Sequence, residues 1–168
     1  MITAHSQLNT HLGSLHNARK TLMRANGAFL ALVGGTQVIF ELLSHFFGVG
    51  PWGRIFAGSH YTIGFLEAHG LAFLIGLLLI GVAAANPKRF WHGFAASVHA
   101  LLGGANLLFW SSFVYWGLVP MGAIATLFHG LFLVAQLFLL LRAPTHYRGD
   151  ITIKQISNQE GQTNASIR

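Results

Sequence analysis

The chain has 168 residues, of which 53% are hydrophobic, 8% are charged and none is cysteine. About a quarter of a soluble domain's residues are charged, so a wholly water-covered surface is excluded. The lack of cysteine excludes disulfides, thiolate metal ligands and covalent c-type haem attachment.

In chain order, residues 1–24 form a polar arm. "MITAHSQLNTHLGSLHNARK" has no apolar run of signal-peptide type, so the first apolar segment is expected to act as its own insertion signal. Leu8, Leu12 and Leu15 stand at helical spacing and predict a short amphipathic helix on the inner membrane surface. His5, His11 and His16 read as solvated side chains of this arm rather than a metal site. Four nearly uncharged segments follow, at about 25–47, 62–85, 92–116 and 119–141. Each has the length that crosses a hydrocarbon core of about 30 Å. The first outer connection, "FGVGPWGRIFAGSHY", reads as a turn with Trp52 and Tyr61 as interfacial anchors. The tight inner connection "ANPKRFWHG" places Phe90 and Trp91 at headgroup level, and "YWGLVP" is a very short outer turn. Beyond Ala143-Pro144, residues 143–168 are polar and expected to be a disordered cytoplasmic tail. Its Asn164-Ala-Ser sequon would then never meet the glycosylation machinery.

The net charge of +6 would suit nucleic acid, but its placement argues for topology. Arg19, Lys20 and Arg24 precede the first span; Lys88 and Arg89 lie between the second and third; Arg142, Arg148, Lys154 and Arg168 follow the fourth. Only Arg54 falls in an outer connection. Alternate connections are therefore basic, the positive-inside pattern, with both termini cytoplasmic. Short connections make consecutive spans antiparallel neighbours. The expected fold is all-α: an integral membrane up-down four-helix bundle over residues 25–142.

The chain also repeats itself. "ALVGGTQVIF" (31–40) matches "ALLGGANLLF" (100–109), and "HGLAFLIGLLL" (69–79) matches "HGLFLVAQLFL" (129–139). The matches are offset by 69 and 60 residues, and the longer first outer loop accounts for the difference. This predicts a duplicated helical hairpin with a site at the interface between the repeats.

Helical spacing puts Gly34, Gln37, Glu41 and His45 on one stripe of span 1, and His99, Gly103, Asn106 and Trp110 on one stripe of span 3. His69 and Gly76 share a face of span 2, as do His129 and Gln136 of span 4. Lipid penalises exposed ionisable groups by a few kcal/mol, so these faces are expected to turn inward. Counting about 1.5 Å per residue from the basic flanks brings Gln37, Glu41, His69, Asn106 and His129 into the outer half, with His99 lower. His69 and His129 come out about 8 Å apart in depth. Glu67 points to a different face.

Such residues can serve only as packing: Gly pairs admit close approach, and Gln, Asn and His bond across helices. A structural or accessory subunit is thus one reading. Three sharper ones compete. A b-type haem could be held between His69 and His129, with Gly34 and Gly103 making room. A lipophilic molecule such as a quinone or isoprenoid could be bound by Glu41 with His69 or His129, the carboxyl and imidazole exchanging protons, and Gln37, Asn106 and His99 nearby. A metal could bind His69, His129 and Glu41. Glu41, His69 and His129 are the candidate catalytic groups if the protein is a membrane oxidoreductase. The expected partners are the lipid bilayer and a homo-oligomer or larger membrane complex, not nucleic acid. Transport would require an oligomer.

Over residues 22–142 the chain resembles the DoxX-like superfamily of small four-helix membrane proteins. The likeness rests on "LALVGGTQVIFELL", the Gly-rich loop with "FGVGP", and "GFLEAHGLAFLIGLLLIGVAA" ahead of a basic turn. It implies a bacterial inner-membrane protein whose relatives are linked to quinone or thiosulfate redox chemistry. It transfers no catalytic residue.

Overall fold

The computed structural model describes the backbone of residues 2–142 and side chains from residue 13 onward. The expectations for the tail, and for the side chains of His5, Leu8, His11 and Leu12, lie outside that range.

The described residues are all-helical: α1 (Ile2–Phe47), α2 (Gly53–Phe56), α3 (Thr62–Leu78), α4 (Arg89–Leu108), α5 (Trp110–Tyr115) and α6 (Val119–Leu141). Three helices are long and apolar enough to cross a membrane: Gly13–Phe47 within α1, Thr62–Ala83 and Val119–Leu141. α1 runs unbroken through the expected boundary at residue 24. Its 46 residues span about 69 Å at 1.5 Å each, more than twice a hydrocarbon core.

The third expected span, 92–116, is not one helix. α4 ends at Leu108, Phe109 leaves the helical region (φ −103°, ψ 29°), and α5 restarts at Trp110. Ser111 and Ser112 follow the break, and serine competes for backbone hydrogen bonds. α4 carries Arg89, His92, His99 and Asn106 along its 20 residues and is not among the three apolar helices. At the end of α3 the chain widens into a π-type turn, Leu79–Ala83, closed by Ala84 N–H on Leu79 O at 2.9 Å. Leu79, Ala83 and Ala84 are buried there.

Contacts fix the directions of the long helices. Gly27 lies against Gly76 and Ile80, Gly34 against His69 and Phe73, and His45 against Thr62, so α1 and α3 are antiparallel. His92 meets Gln136 and His99 meets His129, so α4 and α6 are antiparallel too. Arg19 meets His92 and Asn26 meets His99, so α1 and α4 run parallel where the two pairs join. The pairs α1–α3 and α4–α6 carry most interhelical contact.

Small residues set the closeness of the first pair. A Cβ on Gly27 would stand 2.6 Å from Gly76 O, and one on Gly76 would stand 2.4 Å from Ala31 N. Only glycine permits such a backbone approach. Met23, Leu30, Ala72, Leu79, Ala83, Ala84 and Ala95 make the apolar core across α1, α3 and α4. Leu32, Leu71, Leu101, Leu131 and many other large apolar side chains face outward. This is the inside-out balance expected of helices solvated by lipid.

The buried faces repeat. Residues 23, 26, 27, 30 and 34 of α1 are buried, and the residues 69 further on, 92, 95, 96, 99 and 103, are the buried face of α4. Residues 62, 76 and 79 are buried, as are 122, 136 and 139, each 60 further on.

Candidate functional site

The inward stripes predicted on the helices exist. Gly34, Glu41, His99, Gly103, Gly76 and Gln136 are buried; Gln37, His45, Asn106, Trp110, His69 and His129 are half-buried; Glu67 is exposed. The expected single cluster of Gln37, Glu41, His69, Asn106 and His129 does not form. Its members divide among separate arrangements, because side-chain reach limits each to neighbours about one turn away.

The outermost arrangement is a carboxyl–imidazole pair. Glu41 Oε1 lies 2.5 Å from His69 Nδ1; Glu41 is 1% exposed and the His69 side chain 31%. The second carboxyl oxygen, Oε2, is buried without a partner. Phe65, one turn before His69, stacks on its ring at 6.4 Å and also meets Trp116 from α5's end. A buried carboxyl thus orients an imidazole whose side chain stays 31% exposed.

Gln37 is occupied elsewhere. Its Oε1 accepts from Trp52 Nε1 at 2.9 Å. The tryptophan expected as an interfacial anchor donates to α1, because an indole N–H leaving water needs an acceptor. His45 Nδ1 bonds Thr62 Oγ1 at 3.2 Å, and Ser44 Oγ donates to Val49 O at 3.1 Å. These contacts tie the outer loop to both helices.

Further from the outer loop lies a chain of three side chains. His129 Nδ1 is 2.9 Å from His99 Nδ1, and His99 Nε2 is 2.8 Å from Asn26 Oδ1. With His99 Nε2–H donating to Asn26, His99 Nδ1 accepts from His129 Nδ1–H, and the His129 Nε2 lone pair is left free. Phe132 stacks on His99 at 5.1 Å, and Phe29 packs edge-on to His129 at 6.1 Å. Gly103 makes room: a Cβ there would stand 3.1 Å from His129 Cβ. Asn106 joins none of these hydrogen bonds.

The third arrangement is at the basic end. Arg19 Nε donates to His92 Nε2 at 3.1 Å, and His92 Nδ1 bonds Gln136 Oε1 at 2.6 Å. His92 and Gln136 are fully buried. Sequence reasoning missed Arg19, Asn26 and His92. Arg19 sits in the polar flank of span 1 and Asn26 at its first turn, where polar residues are ordinary. His92 carries a signal only through its seven-residue spacing to His99.

Among the described residues, no three His, Asp or Glu side chains converge as metal ligands. Of the residues expected to share a metal, Glu41 pairs with His69 while His129 pairs with His99. An apolar groove along α6 is lined by Leu127, Leu131, Val134 and Phe138, and its walls include none of the histidines. No protein-family model, curated protein or solved structure matches the chain.

Proposed function

We propose that this membrane protein binds a lipophilic molecule with a polar, redox-active or hydrogen-bonding head, of the quinone or isoprenoid type, at His69. The observation that carries the reading is the Glu41–His69 pair: a carboxyl buried to 1% holding a ring that remains 31% open. An ionisable pair inside a membrane segment is costly and marks function more often than packing. With Nδ1 tied to Glu41, a proton gained at Nε2 lets the ring donate to a quinone carbonyl. The neutral ring accepts from a quinol hydroxyl, and Glu41 holds its orientation in either case.

The architecture proposed around this site is an up-down four-helix bundle made from a duplicated hairpin, in a bacterial inner membrane with both termini cytoplasmic. The repeating buried faces and the alternation of basic connections support it. The resemblance to DoxX-like proteins points the same way, toward quinone-linked redox chemistry.

A b-type haem between His69 and His129 is a second reading, favoured by one observation. Each ring is held through Nδ1, by Glu41 and by His99, which is how metal-bound imidazoles are oriented by an outer shell. The residues fit as ligands by type, while their offset along the helices would have to close.

Two measurements separate these readings from a purely structural role. Lipid extracts of the purified protein should contain a stoichiometric quinone or isoprenoid by mass spectrometry. Glu41→Gln and His69→Ala should each lower its occupancy about tenfold, equivalent to about 1.4 kcal/mol. A Soret band that shifts with dithionite would instead identify haem. A colourless, ligand-free protein whose two variants lose only thermal stability would assign the pair to helix packing.

A further inference from the structure

The Arg19–His92–Gln136 arrangement has an imbalance that packing alone does not explain. A guanidinium only donates hydrogen bonds, so His92 Nε2 accepts from Arg19 and His92 Nδ1–H donates to Gln136 Oε1. That order fixes the glutamine amide: its Nε2 points away from His92, buried and without a partner. Arg19 Nη2 is likewise buried without a partner. The arrangement thus ends in an unsatisfied donor on each side and carries a positive charge.

No carboxylate among the described residues answers that charge. Glu41 lies on the same helix about 33 Å away at 1.5 Å per residue, and Glu67 is exposed near the opposite end of the α1–α3 pair. Lys20, Arg24, Lys88, Arg89 and Arg142 crowd the same end as Arg19 and add charge of the same sign. A half-buried guanidinium without an anion is expensive.

We infer that Arg19 and Gln136 form a binding site for a phosphate group, that of an anionic lipid headgroup or of free inorganic phosphate. The donors supply what phosphate needs: a planar fork from arginine and an amide N–H. Their level suits a headgroup, since His92 is in the first turn of α4 and Gln136 is less than two turns from the end of α6. Basic pockets between helices at this level are where phosphate headgroups seat. The site is separate from the Glu41–His69 pair and does not depend on what that pair binds.

The test uses the full-length protein in neutral detergent, with thermal unfolding and native mass spectrometry read in parallel. Phosphatidylglycerol should raise the melting temperature and remain bound, while phosphatidylcholine should do neither. Arg19→Gln and Gln136→Leu should each weaken retention about tenfold, and exposed Arg24→Gln should leave it unchanged. If Arg19→Gln does not fold, Arg19→Lys keeps the charge, loses the fork and should show the same loss. Stabilisation by inorganic phosphate alone, lost in the same variants, would identify the free ion as the ligand. An equal loss in Arg24→Gln would overturn the site in favour of diffuse attraction to the basic belt. Failure of both lipid and phosphate to stabilise, with Asp150→Asn or Glu160→Gln mimicking Arg19→Gln, would overturn it in favour of a counter-ion from the chain's own tail.

Discussion

The two helix pairs bury equivalent positions, and at three of them an apolar residue or glycine of the first pair is replaced by a polar side chain in the second. In α1–α3 the buried face carries Met23, Gly27, Leu30 and Gly76; the positions offset by 69 or 60 in α4–α6 carry His92, Ala96, His99 and Gln136. The first pair gains its closeness from backbone against backbone, with glycine required at the crossing. The second is joined by side-chain hydrogen bonds, His92 to Gln136 and His99 to His129. Among lipid tails an apolar side chain has little drive to leave one neighbour for another. Dispersion in a tight crossing and hydrogen bonds across a looser one are therefore two solutions to the same problem. The first pair has buried polar groups as well: Asn26 reaches across to His99, and Glu41 meets His69 at the other end.

The sharpest way to break this comparison is at the glycine crossing. Gly76→Ala places a Cβ 2.4 Å from Ala31 N and 2.6 Å from Gly27 O, both backbone atoms that cannot swing aside. We expect it to part α1 from α3 and cost about 3 kcal/mol or prevent folding. Loss of a monodisperse peak on size-exclusion chromatography, or a collapsed thermal transition, would register it. A near-native melting temperature would mean that the crossing is not what holds the pair.

Next in size is an exchange that makes the second pair resemble the first. His99→Leu installs the residue found 69 positions earlier, Leu30, but strands Asn26 Oδ1 and His129 Nδ1. Each buried polar group left without a partner costs about 1–3 kcal/mol. Adding Asn26→Ala copies Ala95 at the related position and should recover part of the loss. A double-mutant cycle on thermal stability would measure that coupling, and strict additivity would show that the Asn26–His99 bond contributes nothing.

A smaller effect separates the outer loop from the helices it covers. Trp52→Phe keeps an aromatic ring but removes the N–H that donates to Gln37 Oε1. The expected cost is about 1 kcal/mol, with faster proteolysis of the 48–61 loop than of the "YWGLVP" turn. Equal cleavage of both would mean that the hydrogen bond does not anchor the loop.

How far these features could be read in the sequence follows from their range. The inward stripes of Glu41, His69, His99 and His129 were legible because a helix imposes a fixed period and lipid penalises departures from it. The matching buried positions of the two halves were legible because both glycine pairs and both His-Gly-Leu segments recur in order. Partner choice was not. His129 takes His99 on α4 rather than His69, and Gln37 takes a loop tryptophan, because these depend on rotamers and crossing distance rather than on period. The break at Phe109 had only Ser111 and Ser112 to announce it, and the widened turn at Leu79–Ala83 left no mark in an apolar text that satisfies a regular helix equally well. Arg19 was hidden in a flank where polar residues are the rule, and Asn26 at the very start of the span that follows it.

The gentlest probe returns to the repeat-related glycines Gly34 and Gly103. A Cβ on Gly34 would stand 2.7 Å from His69 O, a backbone atom, whereas one on Gly103 would meet only the His129 Cβ at 3.1 Å. Adjustment by a few tenths of an ångström relieves the second contact, so Gly103→Ala should cost less than about 1 kcal/mol, offset in part by alanine's better helix propensity. Gly34→Ala should cost clearly more, and it should disturb the Glu41–His69 pair by pushing α3 outward. Thermal melts of the two variants would rank them. If Gly103→Ala is the more damaging, the second pair is as dependent on backbone approach as the first, and the contrast drawn between them fails.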